Sequence, residues 1–198
     1  IEARIILARA QFMKGAFQDA QSNFEKAYEL GDKHYANELI ASAVLNEAYD
    51  YALILYAENS NLNSMADAFA LYAALTQNKF ELVNEIEKKI GEDSYHSLSQ
   101  SFLSARDGQI SQALQYSKKA AFEDPNNADA FWFQGVYHHR LLQPDEALTA
   151  FERYRELRPG DARSIYFLAR SAVAAGDWKL ARSYGEKLTE IAENHSYG

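Results

Sequence analysis

The chain has 198 residues, 47% of them apolar and 24% charged, and a formal net charge of −8 at neutral pH. That is the composition of a folded chain, and its negative field disfavours non-specific nucleic-acid binding, which needs Lys and Arg to neutralise phosphates. No cysteine is present, which excludes disulfides, thiol catalysis and cysteine-ligated zinc, and no apolar run approaches the roughly 20 residues of a membrane span.

Only 3 Pro and 9 Gly punctuate the chain, and Ala, Leu, Glu, Gln and Lys fill most of the rest, so helices are expected throughout. The opening "IEARIILARAQF" is already helical in pattern. It begins at Ile1 without a signal peptide, so the expectation is a fragment or processed product of a longer chain, with cytoplasm and periplasm both left open. A polar turn at "MKGA" leads into a second helix, "FQDAQSNFEKAYELG", which ends at Gly31. The same helix–turn–helix phrase returns along the chain. The small residue inside each second helix is Ala20, Ala52, Val83, Ala113, Ala147 and Ala181, at steps of 32, 31, 30, 34 and 34. Three residues before each stand Phe17, Tyr49, Phe80, Ile110, Pro144 and Trp178. Units end at Gly31, at Gly91, at "EDPNN" and at "LRPGD", where Pro and Gly stop helices.

The column of small residues has a physical reason. Two antiparallel helices approach closely only where side chains are small, so Gly135 and Ala169 on first helices should face Ala147 and Ala181 on second ones. A single pair cannot bury its apolar faces, so neighbours must stack. This grammar resembles the tetratricopeptide repeat. Residues 128–161 carry Phe131, Gly135, Ala147, Phe151 and Pro159; residues 1–34 carry Leu7, Gly15, Phe17, Ala20, Phe24 and Ala27. Residues 94–127 carry Gly108, Ala113, Ala120 and Pro125, and residues 162–195 carry Leu168, Gly176, Trp178 and Ala181. Units 35–63 and 64–93 are shorter and are placed by their neighbours' register. The resemblance implies an all-α, right-handed superhelical solenoid of antiparallel helix hairpins over 1–198, as one domain.

No chemistry is written in the sequence. The glycines form no nucleotide loop, no nucleophile elbow or metal-ligand spacing occurs, and His138 and His139 diverge on a helix. No enzyme, metal or cofactor is expected. Repeats of this kind act as interaction scaffolds, and the resemblance implies that first helices line a concave, ligand-binding surface. The positions it selects are Tyr72, Phe102, Arg106, Trp132, Val136, His139, Arg140, Arg163, Tyr166 and Arg170. Aromatics there supply contact area and Arg takes carboxylates bidentately, which suits a protein or peptide partner; aromatic faces also suit sugar rings, so a glycan is a second ligand class. The chaperone-binding clamp of the family is not reproduced: its positions hold Leu98, Phe102, Phe133, Arg163 and Phe167. A fainter similarity links "LARAQFMKGAFQDAQSNFEKAYELG" to bacterial envelope scaffolds of exopolysaccharide assembly and secretion, and a regulatory arm of a larger enzyme is a further alternative. Finally, Gly185 inside the last helix costs roughly 1 kcal/mol relative to Ala, and no clean polar cap follows before "ENHSYG". The array is therefore expected to continue, or to pair through an end face as a homodimer.

Overall fold

The computed structural model describes residues 2–31 and 33–196. Among these there is no strand. Twelve α-helices alternate in antiparallel pairs: α1 (Glu2–Lys14) with α2 (Phe17–Glu29), α3 (Ala36–Leu45) with α4 (Tyr49–Glu58), and α5 (Ser64–Thr76) with α6 (Phe80–Glu87). They continue as α7 (Ser94–Arg106) with α8 (Ile110–Glu123), α9 (Ala128–Arg140) with α10 (Pro144–Leu157), and α11 (Arg163–Ala175) with α12 (Trp178–Ser196). Only a short 3-10 turn, Lys33–Tyr35, interrupts the alternation. The hairpins stack into an all-α solenoid.

Each hairpin turn is built the same way. The backbone turns left-handed at Gly15, Gly108 and Gly176, and also at the non-glycine residues Glu47, Asn78 and Leu142. These positions carry the repeat's own spacing. The next residue but none donates its N–H five residues back: Ala16 to Gln11, Ala48 to Ala43, Lys79 to Ala74, Gln109 to Ser104, Gln143 to His138 and Asp177 to Ala172. This bond satisfies a carbonyl that the ending helix would otherwise leave orphaned. A side chain with a Cβ resists the left-handed region by about 1–2 kcal/mol. Leu142 has φ 57° and is 88% exposed, so its side chain offers little packing in return. Leu142→Gly should raise the unfolding free energy by about 1 kcal/mol, read as an upward shift of the urea midpoint at unchanged slope.

The repeat column of small residues is the core seam: Ala20, Ala52, Val83, Ala113 and Ala147 are all fully buried. The close approach in the fifth hairpin differs from the expected small-on-small contact. A Cβ placed on Gly135 would lie 2.6 Å from the ring of Phe151. Gly135 therefore makes room for a fully buried aromatic ring, not for Ala147. The column three residues earlier is unevenly covered: Phe17 is buried, while Phe80 and Trp178 are exposed. Stacking is continuous except at α6, which is eight residues long. There α7 is reached chiefly from α5.

The array curls far enough for its first hairpin to touch its fifth and sixth. The N–H of Gly160 donates to the carbonyl of Lys14 at 2.6 Å. A Cβ on Gly15 would fall 2.8 Å from the Cβ of Asp161, and one on Gly160 would fall 2.8 Å from the Lys14 carbonyl. Two glycines thus allow two backbones to meet.

Candidate functional site

Two arginines hold this closure: Arg158, just after α10, and Arg163, the first residue of α11. Arg158 is 6% exposed. Its Nη1 donates to the carbonyl of Phe12 at 2.8 Å and its Nη2 to Asp129 at 3.3 Å. The guanidinium lies over the rings of Phe12 and Phe17, at 4.6 and 5.1 Å from their centroids, a favourable cation–π geometry. Burial pushes the Asp129 carboxyl above its usual range, and the positive charges of Arg158 and Arg163 work against that rise. Arg163 grips Asp161 through Nε and Nη2, at 3.0 and 2.8 Å. Its Nη1 donates to the carbonyl of Leu45, at the turn of the second hairpin, at 2.7 Å. Its charge sits between Phe17 and Trp132. Asp161 also accepts the Arg163 N–H at 3.0 Å, in the turn that leads into α11, and the hydroxyl of Tyr154 at 2.5 Å. Burial, and then the Asp161 charge beside it, holds the Tyr154 hydroxyl well above its ordinary pKa. A cavity of about 520 Å³ opens beside this junction, between Gly15, Glu47 and Arg163.

The inner face of the curl is aromatic. Tyr72 on α5, Phe102 on α7 and Phe133 on α9 form a triangle, with ring centroids 5.1, 5.3 and 4.6 Å apart. They floor a cleft of about 260 Å³ whose walls are Leu75, Thr76, Ala105, Val136 and Tyr137 and whose rim carries Arg106 and Arg140. A second hollow of about 310 Å³ shares Tyr72, Phe133 and Val136 with it and runs on to Trp132, Phe167 and Arg163. Burial raises the pKa of the Tyr72 hydroxyl, while Arg140 and Arg163 nearby act to lower it. The Arg106 guanidinium is paired with Asp107 at 2.8 Å, whereas Arg140 has no ion pair among the described residues.

The predicted surface residues therefore divide. Tyr72, Phe102, Arg106, Val136 and Arg140 come together around one cleft. Trp132 lines the adjoining hollow and is wedged among Phe151, Tyr154 and Phe167. His139 is half-buried, with Nε2 2.8 Å from the hydroxyl of Ser171. Tyr166 and Arg170 on α11 are exposed and line neither the cleft nor the adjoining hollow. Arg163 is a bridge within the chain, with all three guanidinium nitrogens hydrogen-bonded internally. The cleft also uses residues outside the predicted set, Leu75, Thr76, Ala105, Phe133 and Tyr137. Phe133 packs against Tyr72 and Phe102 of the neighbouring helices while flooring the cleft. Nothing in the repeat pattern singles out Arg158, because its partners lie in the first hairpin.

Among the described residues no group of three or more His, Asp or Glu is placed to hold a metal, and no helix is long and apolar enough to cross a membrane.

No family model matches the chain, and no curated protein does. Solved structures do. MamA (MSR-1) superposes with a TM-score of 0.53 at 17% identity, over 81% of this chain and 97% of that one. YrrB, described as a TPR protein with an unusual peptide-binding site, superposes with a TM-score of 0.53 at 17% identity, over 98% of this chain and 87% of that one. At such identities the likeness speaks for the fold, which is that of a tetratricopeptide-repeat solenoid.

Proposed function

We propose that the chain is a non-catalytic interaction scaffold that holds a peptide or helical segment of a partner protein against its inner face. The observation that carries this reading is the cleft between α5, α7 and α9: an apolar, aromatic floor with Arg140 at its mouth. Apolar area of this kind is what a bound side chain buries, and an unpaired guanidinium at the rim suits a carboxylate in bidentate contact. The occupant that fits is an aromatic or aliphatic side chain next to Asp, Glu or a C-terminal carboxylate. The description of YrrB as a peptide-binding protein of the same fold supports the reading. The chain's overall negative charge sharpens it, because a locally basic rim then stands out against an acidic surround.

Selection from a random displayed-peptide library tests the proposal. Peptides pairing a large apolar residue with an adjacent acid should be enriched. Arg140→Glu should weaken the best of them by about 10- to 100-fold, the range expected for loss of a charge-assisted hydrogen bond of about 1.5–3 kcal/mol. Arg140 is exposed at the end of α9, so the fold should be unaffected by circular dichroism. Enrichment of basic peptides, or affinities untouched by Arg140→Glu, would place the binding surface elsewhere.

A further inference from the structure

The hollows of the inner face are joined to one another and to the cavity at the clasp. The cleft between α5, α7 and α9 shares Tyr72, Phe133 and Val136 with the hollow at Trp132. That hollow in turn shares Leu45, Glu47 and Arg163 with the clasp cavity. The shared walls make one trench, which runs from Arg140 at one mouth to Glu47 at the other. Its two apolar compartments hold about 260 and 310 Å³, at or below the lower limit of roughly 300 Å³ for small-molecule sites. Each is room for a side chain of an extended segment, not for a cofactor buried whole.

The two ends carry opposite charge. Arg140 is exposed and unpaired at the first mouth. At the far end the Arg163 charge is taken up by Asp161 at 2.8 Å, which leaves Glu47 over. Glu47 is exposed and has no ion pair among the described residues. Burial is the largest cause of the raised pKa of the Tyr72 hydroxyl, but Glu47 adds to it and Arg140 opposes it, so both charges act on the floor that the compartments share. Glu47 also stands where glycine is the easier residue. Its φ is 62°, at the turn position that Gly15, Gly108 and Gly176 fill in other hairpins. A Cβ is disfavoured in that region, and no ion pair of Glu47 offsets the cost. Strain held at the mouth of a cleft points to a use for the side chain.

We propose that the trench takes a dipolar peptide segment: an acidic residue on Arg140, an apolar side chain in each compartment, and a Lys or Arg on Glu47. This rests on the peptide-scaffold reading above and adds to it a second anchor, a second charge and so a fixed direction along the trench. Charge complementarity selects the occupant. A segment acidic throughout would meet Glu47, and one basic throughout would meet Arg140, so each is rejected at one end.

An array of peptides of about ten residues tests it. Each peptide carries one Asp-Phe pair, one Leu and one Lys, with the spacing and chain direction of these groups varied, and affinities are read by fluorescence polarisation. The tightest peptides should share one direction and should weaken by about 5-fold when their Lys is replaced by Glu, the upper range for an exposed ion pair. Glu47→Lys should reverse that preference, with the fold unchanged by circular dichroism. Glu47→Gly should weaken the Lys-bearing peptides and yet raise the urea midpoint, because it removes the charge and relieves the turn. A purely structural Glu47 would move stability alone. If Arg140→Glu weakens the Asp-Phe peptides while Glu47→Lys leaves the preference for Lys over Glu untouched, the dipolar segment is overturned and the peptide reading stands. If no peptide binds, both fall. Self-association that the peptides compete away would make a second copy the occupant and overturns the proposal as well.

Discussion

Arg158→Ala should lower the unfolding free energy by about 3–5 kcal/mol, the loss expected when one partner of a buried ion pair is removed. The side chain is the hub of the junction between the first and fifth hairpins: it bonds the Phe12 carbonyl and Asp129, and its face covers Phe12 and Phe17. Without it Asp129, 1% exposed, keeps a carboxyl with no cation in direct contact. Its already raised pKa should climb further, because burial is left with less to oppose it. The sign of the pH dependence follows. A carboxyl whose folded pKa is raised gives stability that is full below its unfolded value and is lost as pH rises through the folded one. The variant should therefore lose least at acid pH and most at neutral pH. Urea unfolding at pH 4 and pH 7 checks this. The double variant Arg158→Ala/Asp129→Asn should recover part of the loss at pH 7, since it leaves no buried charge unpaired. Equal destabilisation at both pH values would show that stacking on Phe12 and Phe17, not charge, dominates.

Gly135→Ala should cost about 1–3 kcal/mol, the range for overpacking a full core. The new methyl would sit 2.6 Å from the Phe151 ring. That ring cannot retreat, because it is fully buried and contacts Trp132, His139 and Phe167. A surface glycine-to-alanine change in a helix would instead gain about 1 kcal/mol from propensity, so the two hypotheses differ in sign. Gly135→Ala/Phe151→Leu should be more stable than the sum of the single changes predicts, because the smaller side chain gives the methyl its space. Strict additivity in thermal and urea unfolding would mean that the two positions do not share the contact.

The hairpins and their stacking were legible because they are local. A period of 30 to 34 residues, a small residue in the second helix and a turn at a fixed offset recur along the chain, even where Glu47, Asn78 and Leu142 take the place of glycine. Half of the candidate site was legible for the same reason: Tyr72, Phe102, Arg106, Val136 and Arg140 occupy repeated positions on first helices, and stacking brings them into one cleft. What the pattern could not show is how far the array curls. Arg163 reads as a groove residue by its column, yet it reaches Leu45, 118 residues away. Arg158 reads as part of a helix stop, yet it reaches Phe12, 146 residues away. Both depend on small rotations summed over several hairpins, and no single unit encodes that sum. Gly135 was recognised as a point of close approach, but its partner was misjudged, because Phe151 can fill the space only if the neighbouring rings leave it nowhere else to go.

The clasp between the first hairpin and the loop after α10 has a kinetic meaning. An open solenoid has contacts only between neighbours, so it can fray from either end and its stability is a sum of local terms. Here the amino-terminal hairpin is tied back across most of the molecule, and it cannot peel away without breaking the Gly160–Lys14 and Arg158–Phe12 bonds. The most peripheral part of the array becomes among its better protected parts, and amide exchange in α1 and α2 should track global unfolding instead of local opening. Formation of that tie needs a long loop to close, which slows folding relative to a purely local array. The same sequence grammar that assembles one hairpin at a time thus yields, once the curl meets itself, a molecule that lets go all at once.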